Sequence, residues 1–166
     1  MPPTQEDHTV VVPASFFSSL GLRLVKNLGP NAAELMLYDI GREVGRSFVT
    51  HSEGYLNRTL RSEADVRTLL GFFGKEFRWA KISLESIDMA AKFVVVEWRD
   101  GVGVPRGGSK EPVCHLGRGL LSGAAEVVFD TKCDAIETQC QAMGAEHCRI
   151  VVGDPERVRA LAEELA

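Results

Sequence analysis

The feature that most constrains this chain is a set of soft metal ligands: Cys114, followed by Glu137, Cys140 and Cys148 in one short stretch. The segment ETQCQAMGAEHCRIVVG reads as a hairpin. Ile136 to Met143 forms one extended run, Gly144-Ala145 the turn, and His147 to Val152 a return strand with a β-branched end. A turn centred near Gly144 sets Cys140 opposite Cys148, and directly opposed residues keep their Cβ atoms ~4.5–5.5 Å apart. Two thiolates at that spacing can share one metal. Glu137, upstream on the same strand, adds an oxygen if the strand bends, and Cys114 arrives from elsewhere. Three thiolates and a carboxylate fill a tetrahedral Zn²⁺ site with no open position, the pattern of a structural metal. On spacing alone other readings stay open. Opposed cysteines also suit a disulfide, buried thiols act as small hydrophobes, and His115 and His147 are rival ligands. Cys133 has no partner in the pattern and reads as a free, packed thiol.

Composition sets outer bounds. A chain of 166 residues suits one domain, and at that size it buries roughly 68–70% of its unfolded surface. The expected organisation is a flexible leader over residues 1–11 and a single domain over 12–166. A formal charge of −4 argues against direct nucleic-acid binding, which needs clustered Lys and Arg. No apolar run approaches the roughly 20 residues that span a bilayer, and MPPTQEDH lacks the basic start of a signal peptide. Four cysteines without such a signal fit a reducing compartment, so the expected location is the cytoplasm.

Periodicity gives an α/β (α+β) fold, with helices packed against an antiparallel sheet that ends in the metal hairpin. Phe16, Phe17, Leu20, Leu24 and Val25 mark a first helix that stops at Leu28-Gly29-Pro30. A second is expected from Ala32 to about Thr50 with Asn31 as its cap. Its Gly41 and Gly45 admit a closely packed neighbour. A third runs from Ser62, its N-cap, to about Phe73. Lys81 to Ile87 and Ala91 to Arg99 read as strands joined at Asp88-Met89, with one register break between Leu84 and Ile87. Asp100 to Pro112 is a loop rich in Gly and Pro. Cys114 to about Phe129 is a helix whose Gly119 and Gly123 are expected to pack tightly against the sheet. Pro155 starts a final short helix.

The spacing Cys-x-x-Gly-x-Gly-x-x-x-Gly, then Glu-x-x-Cys-x-x-x-Gly-x-x-x-Cys, resembles the 4-vinyl-reductase-type domain. It runs from Cys114 through Gly117, Gly119 and Gly123 to Glu137, Cys140, Gly144 and Cys148. That domain occurs in the hydrocarbon-binding sensor modules of phenol- and toluene-type activators and in a protein associated with bacteriochlorophyll vinyl reduction. It also occurs as stand-alone prokaryotic proteins. Its fold is distantly shared with Golgi transport-particle subunits and haem-NO-binding domains. The resemblance implies Zn²⁺ held by Cys114, Glu137, Cys140 and Cys148. It also implies a small apolar or aromatic ligand and a homodimer.

No nucleotide-binding glycine loop, nucleophile elbow or other catalytic centre is evident, so an enzyme is the less favoured reading. The expected function is a stand-alone ligand sensor that signals to a separate output protein. Phe72, Phe73, Phe77, Trp79 and Trp98 are the candidate pocket residues, although each serves equally well as core. The alternatives are an accessory protein or enzyme in tetrapyrrole 4-vinyl reduction, and a dimeric protein-interaction module.

Overall fold

Four strands, β1 (Lys81–Asp88), β2 (Phe93–Arg99), β3 (Asp134–Gln139) and β4 (Cys148–Gly153), form one antiparallel sheet in the order β1-β2-β4-β3. The structure is a computed structural model that describes residues 13–76, 78–104 and 107–165. The leader expected over residues 1–11 lies outside the described residues. Around the sheet are helices α1 (Ala14–Leu28), α2 (Pro30–Leu56), α3 (Glu63–Gly71), α4 (His115–Phe129) and α5 (Pro155–Leu165). This is the α/β architecture expected from the sequence.

Strand alternation divides the core between the two faces of the sheet. Val94, Val96 and Trp98 of β2 join Cys148, Ile150 and Val152 of β4 on one face, where α4 and α3 cover them. On the other face Val95 and Val151 meet Val158 of α5 in a smaller cluster. Two bulges interrupt the ladders. One lies between Leu84 and Ser86, at the register break expected in β1. The other lies between Glu137 and Gln139 in β3.

Helix boundaries follow local chemistry. Gly29, at φ 83°, ends α1 and precedes Pro30, which suits a first helical position because its missing N–H has no helical partner. Helix α2 therefore starts before Ala32 and places Asn31 in its first turn, not at the cap. It also runs past Thr50 to a left-handed Asn57. Ser62 caps α3 as expected, with a full capping box: its hydroxyl accepts from the Asp65 N–H, and the Asp65 carboxylate accepts from the Ser62 N–H. The β1–β2 connection spans Met89 to Lys92, longer than the expected Asp88-Met89 turn, and Asp88 Oδ1 accepts from the Ala91 N–H.

Helices α2 and α4 meet through glycines on both sides. A Cβ on Gly41 or Gly45 would sit 2.2 or 2.0 Å from the carbonyl oxygens of Leu116 and Leu120. A Cβ on Gly119 or Gly123 would sit 2.0 or 1.9 Å from those of Tyr38 and Arg42. Gly119 and Gly123 thus face α2, not the sheet as the sequence suggested. Missing side chains on both helices let the two backbones touch. Helix α1 rests on α2 and has no buried residue. Among the described residues no helix is long and apolar enough to cross a membrane.

Candidate metal centre

Cys114, Glu137, Cys140 and Cys148 come together from three elements. Their ligand atoms all lie within 4.8 Å of one another, and all four residues are buried. Cys114 is the N-cap of α4, where the helix dipole favours a thiolate. Glu137 lies in β3, Cys140 just beyond its end, and Cys148 opens β4 opposite Trp98.

The bend in β3 is what makes the set possible. Residues three apart on a regular strand face opposite sides. The bulge places an extra residue, Thr138, between Glu137 paired with Ile150 and Gln139 paired with Arg149, so Glu137 and Cys140 turn inward together. The chain then leaves the extended conformation at a 3₁₀ turn, Gln141–Met143, closed by Gly144 at φ 102°. Ile136 to Met143 is therefore not one extended run. The hairpin loop contains the 3₁₀ turn as well as the expected Gly144-Ala145.

The donor set fits a divalent cation. Glu137 Oε2 accepts the Cys114 N–H at 3.2 Å, whereas its Oε1 is buried with no hydrogen-bond partner. Cys114 Sγ is 3.2 Å from Cys148 Sγ, and the Gln141 N–H donates to Cys148 Sγ at 3.3 Å. A zinc tetrahedron with bonds of ~2.3 Å has edges of about 3.8 Å, a spacing this cluster can adopt with small shifts. All four cysteines are free thiols, so the alternative disulfide is not formed.

Protonation reflects the crowding. A hydrogen bond from Cys114 outweighs burial and holds Cys140 down at about 4. Hydrogen bonds to Cys140 and Cys148, then burial, push Cys114 far above the ordinary thiol range. Burial lifts Glu137 to about 7 against the Cys114 N–H that stabilises its anion. Four acidic groups in one closed space cannot all ionise unaided, and a bound cation replaces the protons they otherwise share.

The rival histidines stay outside the cluster. His115 Nδ1 lies 3.3 Å from Glu34 Oε1, and burial lowers the pKa of its ring. His147 Nε2 lies 3.9 Å from Glu97. Cys133 is packed away from the site, where burial pushes its thiol up to about 12.

The candidate pocket residues do not converge. Trp79 and Trp98 share a cavity of about 40 Å³ with Phe17, Val104 and Cys114. Phe73 lines a wholly apolar cavity of about 30 Å³ between α3, α4 and β2. Phe72, half-exposed, lines an open groove of about 290 Å³ between the end of α2 and α3. Phe77 lies outside the described residues. The groove was not read from the sequence, because Phe48, Tyr55 and Leu69 become neighbours only when α2 and α3 pack. A polar clamp was missed for the same reason. Glu126 of α4 accepts from Arg42 and Arg46 of α2, and Tyr38 donates to Asp134 at 2.6 Å. Burial, then Asp134, lifts that tyrosine to about 12.

Residues 94–154 match the family model of the vinyl-4-reductase domain. Two uncharacterised proteins of Methanocaldococcus jannaschii are related. MJ0150 is 26% identical over 146 residues, and MJ1642 is 27% identical over 119. The aligned regions cover 86% and 72% of this chain and 76% and 63% of those proteins. Three solved structures share the fold. The phenol-responsive sensory domain of the transcription activator PoxR, crystallised with phenol, superposes with a TM-score of 0.74 at 18% identity, covering 96% of this chain and 83% of that one. A trafficking protein particle complex subunit 3 from Naegleria fowleri, covalently bound to palmitic acid, gives 0.65 at 15% identity, with coverage of 84% and 91%. A vinyl-4-reductase family protein from M. jannaschii gives 0.54 at 17% identity, with coverage of 87% and 83%. The chain carries a vinyl-4-reductase domain match over residues 94–154, on a fold shared with the PoxR sensory domain and a vinyl-4-reductase family protein, as its cysteine and glycine spacing indicated.

Proposed function

We propose that this protein is a small-molecule sensor domain in which Zn²⁺, held by Cys114, Glu137, Cys140 and Cys148, fixes the C-terminal hairpin. The observation that carries the ligand reading is the fold shared with the phenol-responsive domain over nearly the whole chain. The observation that carries the metal is the four-donor cluster with its unpartnered Glu137 oxygen. With three sulfurs and one oxygen bound, no position remains for substrate, so the ion's role is structural.

The ligand we favour is a small apolar or aromatic molecule. The two closed cavities of about 30 and 40 Å³ hold only a few waters, since each water needs on the order of 10–15 Å³. A benzene-sized guest needs on the order of 150 Å³. The groove beside Phe48, Leu69 and Phe72 is large enough and mostly apolar, with few polar groups at its rim. Phenol or toluene should raise the melting temperature by mass action, by about 2.7 kcal/mol of stability at a hundred times Kd. Thr68→Trp, which fills the groove from its exposed side, should abolish that shift and leave zinc content unchanged. If millimolar phenol, toluene and related compounds shift neither melting nor tryptophan fluorescence, the sensor reading fails.

Signalling would pass to a separate output protein from a homodimer in the cytoplasm, a compartment that suits four free thiols. Support for the dimer comes from the apolar outer surface of α1 and α2, where Phe16, Leu22 and Leu35 stand exposed. The Gly-x-x-x-Gly faces lend it none, because α2 and α4 bury them against each other.

A further inference from the structure

One residue of the metal hairpin binds more than its own turn. The Gln141 backbone N–H donates to Cys148 Sγ at 3.3 Å, and its carbonyl accepts the Gly107 N–H at 3.2 Å. Its side chain is used at both ends: Oε1 accepts the Asp100 N–H at 2.7 Å, and Nε2 donates to the Glu146 carbonyl at 3.0 Å. The next residue extends the seam, as the Ala142 carbonyl accepts the Ser109 N–H at 2.9 Å.

The segment fastened in this way walls the tryptophan cavity. Gly101 lies against the Trp98 indole so closely that a Cβ there would come within 2.1 Å of Nε1. Val102 donates its N–H to the Trp79 carbonyl at 2.8 Å, and Val102, Gly103 and Val104 line the cavity. Cys114, a member of the four-donor cluster, lines the same cavity from the other side.

We infer that Gln141 is a positioning residue that joins the metal centre to the segment after β2, so that the ion and the wall of the Trp79–Trp98 cavity form one hydrogen-bonded unit. The inference rests on the proposed metal site. The ion holds Cys140 and Cys148, these hold the 3₁₀ turn, and the Gln141 amide holds Asp100 at the root of the cavity wall. Loss of metal then loosens the wall without unfolding the sheet.

Site-resolved amide hydrogen exchange tests this on the full chain with zinc. In the wild type, chelation should speed exchange at Asp100, Gly107 and Ser109 by about tenfold, while Val95 and Ile150 in the sheet stay protected. Gln141→Met keeps the length and the backbone bonds but removes the amide. It should retain zinc and still expose Asp100 by about tenfold. Gln141→Glu, which keeps the Oε1 acceptor, should restore Asp100 protection. Wild-type exchange at Asp100 in Gln141→Met would overturn the inference, as would a rise shared equally with Val95 and Ile150. Zinc content, measured on the same samples, separates failure of the metal reading: a protein that takes up no zinc still reports on Asp100 through the two variants.

Discussion

At the scale of single residues the account depends on which thiols are tied to the cluster and which are only packed. Cys140→Ser should lower zinc content and destabilise the C-terminal hairpin, because binding free energy at such a site is also folding free energy. Cys133→Ser should leave zinc unchanged, since that thiol lies apart from the cluster and meets only the Thr131 carbonyl, at 3.6 Å. Elemental analysis with thiol titration checks both. A second residue sets the acid limit. The Arg58 guanidinium, and after it the Ser62 hydroxyl, hold the Asp65 carboxyl well below the usual carboxylate range. The folded state therefore binds fewer protons than the unfolded state below about pH 4, and the stability Asp65 contributes is complete above that value and lost as pH falls. Asp65→Asn should cost about 1 kcal/mol at pH 7 and flatten the acid limb of the stability profile, measured by urea unfolding from pH 7 to 3. The four cluster residues were legible in the sequence because soft ligands are few and their spacing is chemical information. Ser62 was legible as a cap, but its partner Asp65 was not singled out. Gln141 was not legible, because an amide acquires meaning only from the backbone groups the fold brings to it.

At the scale of elements the α2–α4 contact is the most exposed to test. Gly41→Ala or Gly119→Ala places a Cβ about where a carbonyl oxygen already sits, so the helices must separate. Each should cost at least about 1–3 kcal/mol in urea unfolding. Gly54→Ala, in the last part of the same α2 helix with nothing within 4 Å, should instead stabilise by about 0.5–1 kcal/mol. Equal effects at the three positions would remove the close-packing explanation. The sequence showed that both glycine pairs admit a close neighbour, since four-residue spacing sets them on one helix face. It assigned Gly119 and Gly123 to the sheet because spacing reports a bare surface, not what approaches it. The register break in β1 was legible as a fault in alternation. The β3 bulge was legible only as a condition, that the strand must bend for Glu137 to join the cysteines. The end of α2 was not legible, because His51 to Leu56 lack an apolar stripe and their helix is set by packing beside α3.

For the whole molecule, two layers of helices on a four-stranded sheet leave an apolar outer surface on α1 and α2, and the proposed dimer would use it. Light scattering at micromolar concentration should give twice the chain mass of 18.2 kDa, and Leu22→Glu should return it to the monomer. A wild-type monomer would remove the dimer from the account. Fold class and element order were legible because hydrophobic period and turn residues agree along most of the chain. The separation of the aromatic residues into three spaces was not, because it depends on how α3 and the segment after β2 lie over the sheet. The central claim is that a bound metal holds the C-terminal hairpin on which the sensor reading is built. Its most direct test is the zinc content of the wild-type protein purified under reducing conditions. The account predicts about one zinc per chain, with three of the four thiols unreactive until the ion is chelated. Less than about a third of an equivalent, with all four thiols free to react, would contradict it.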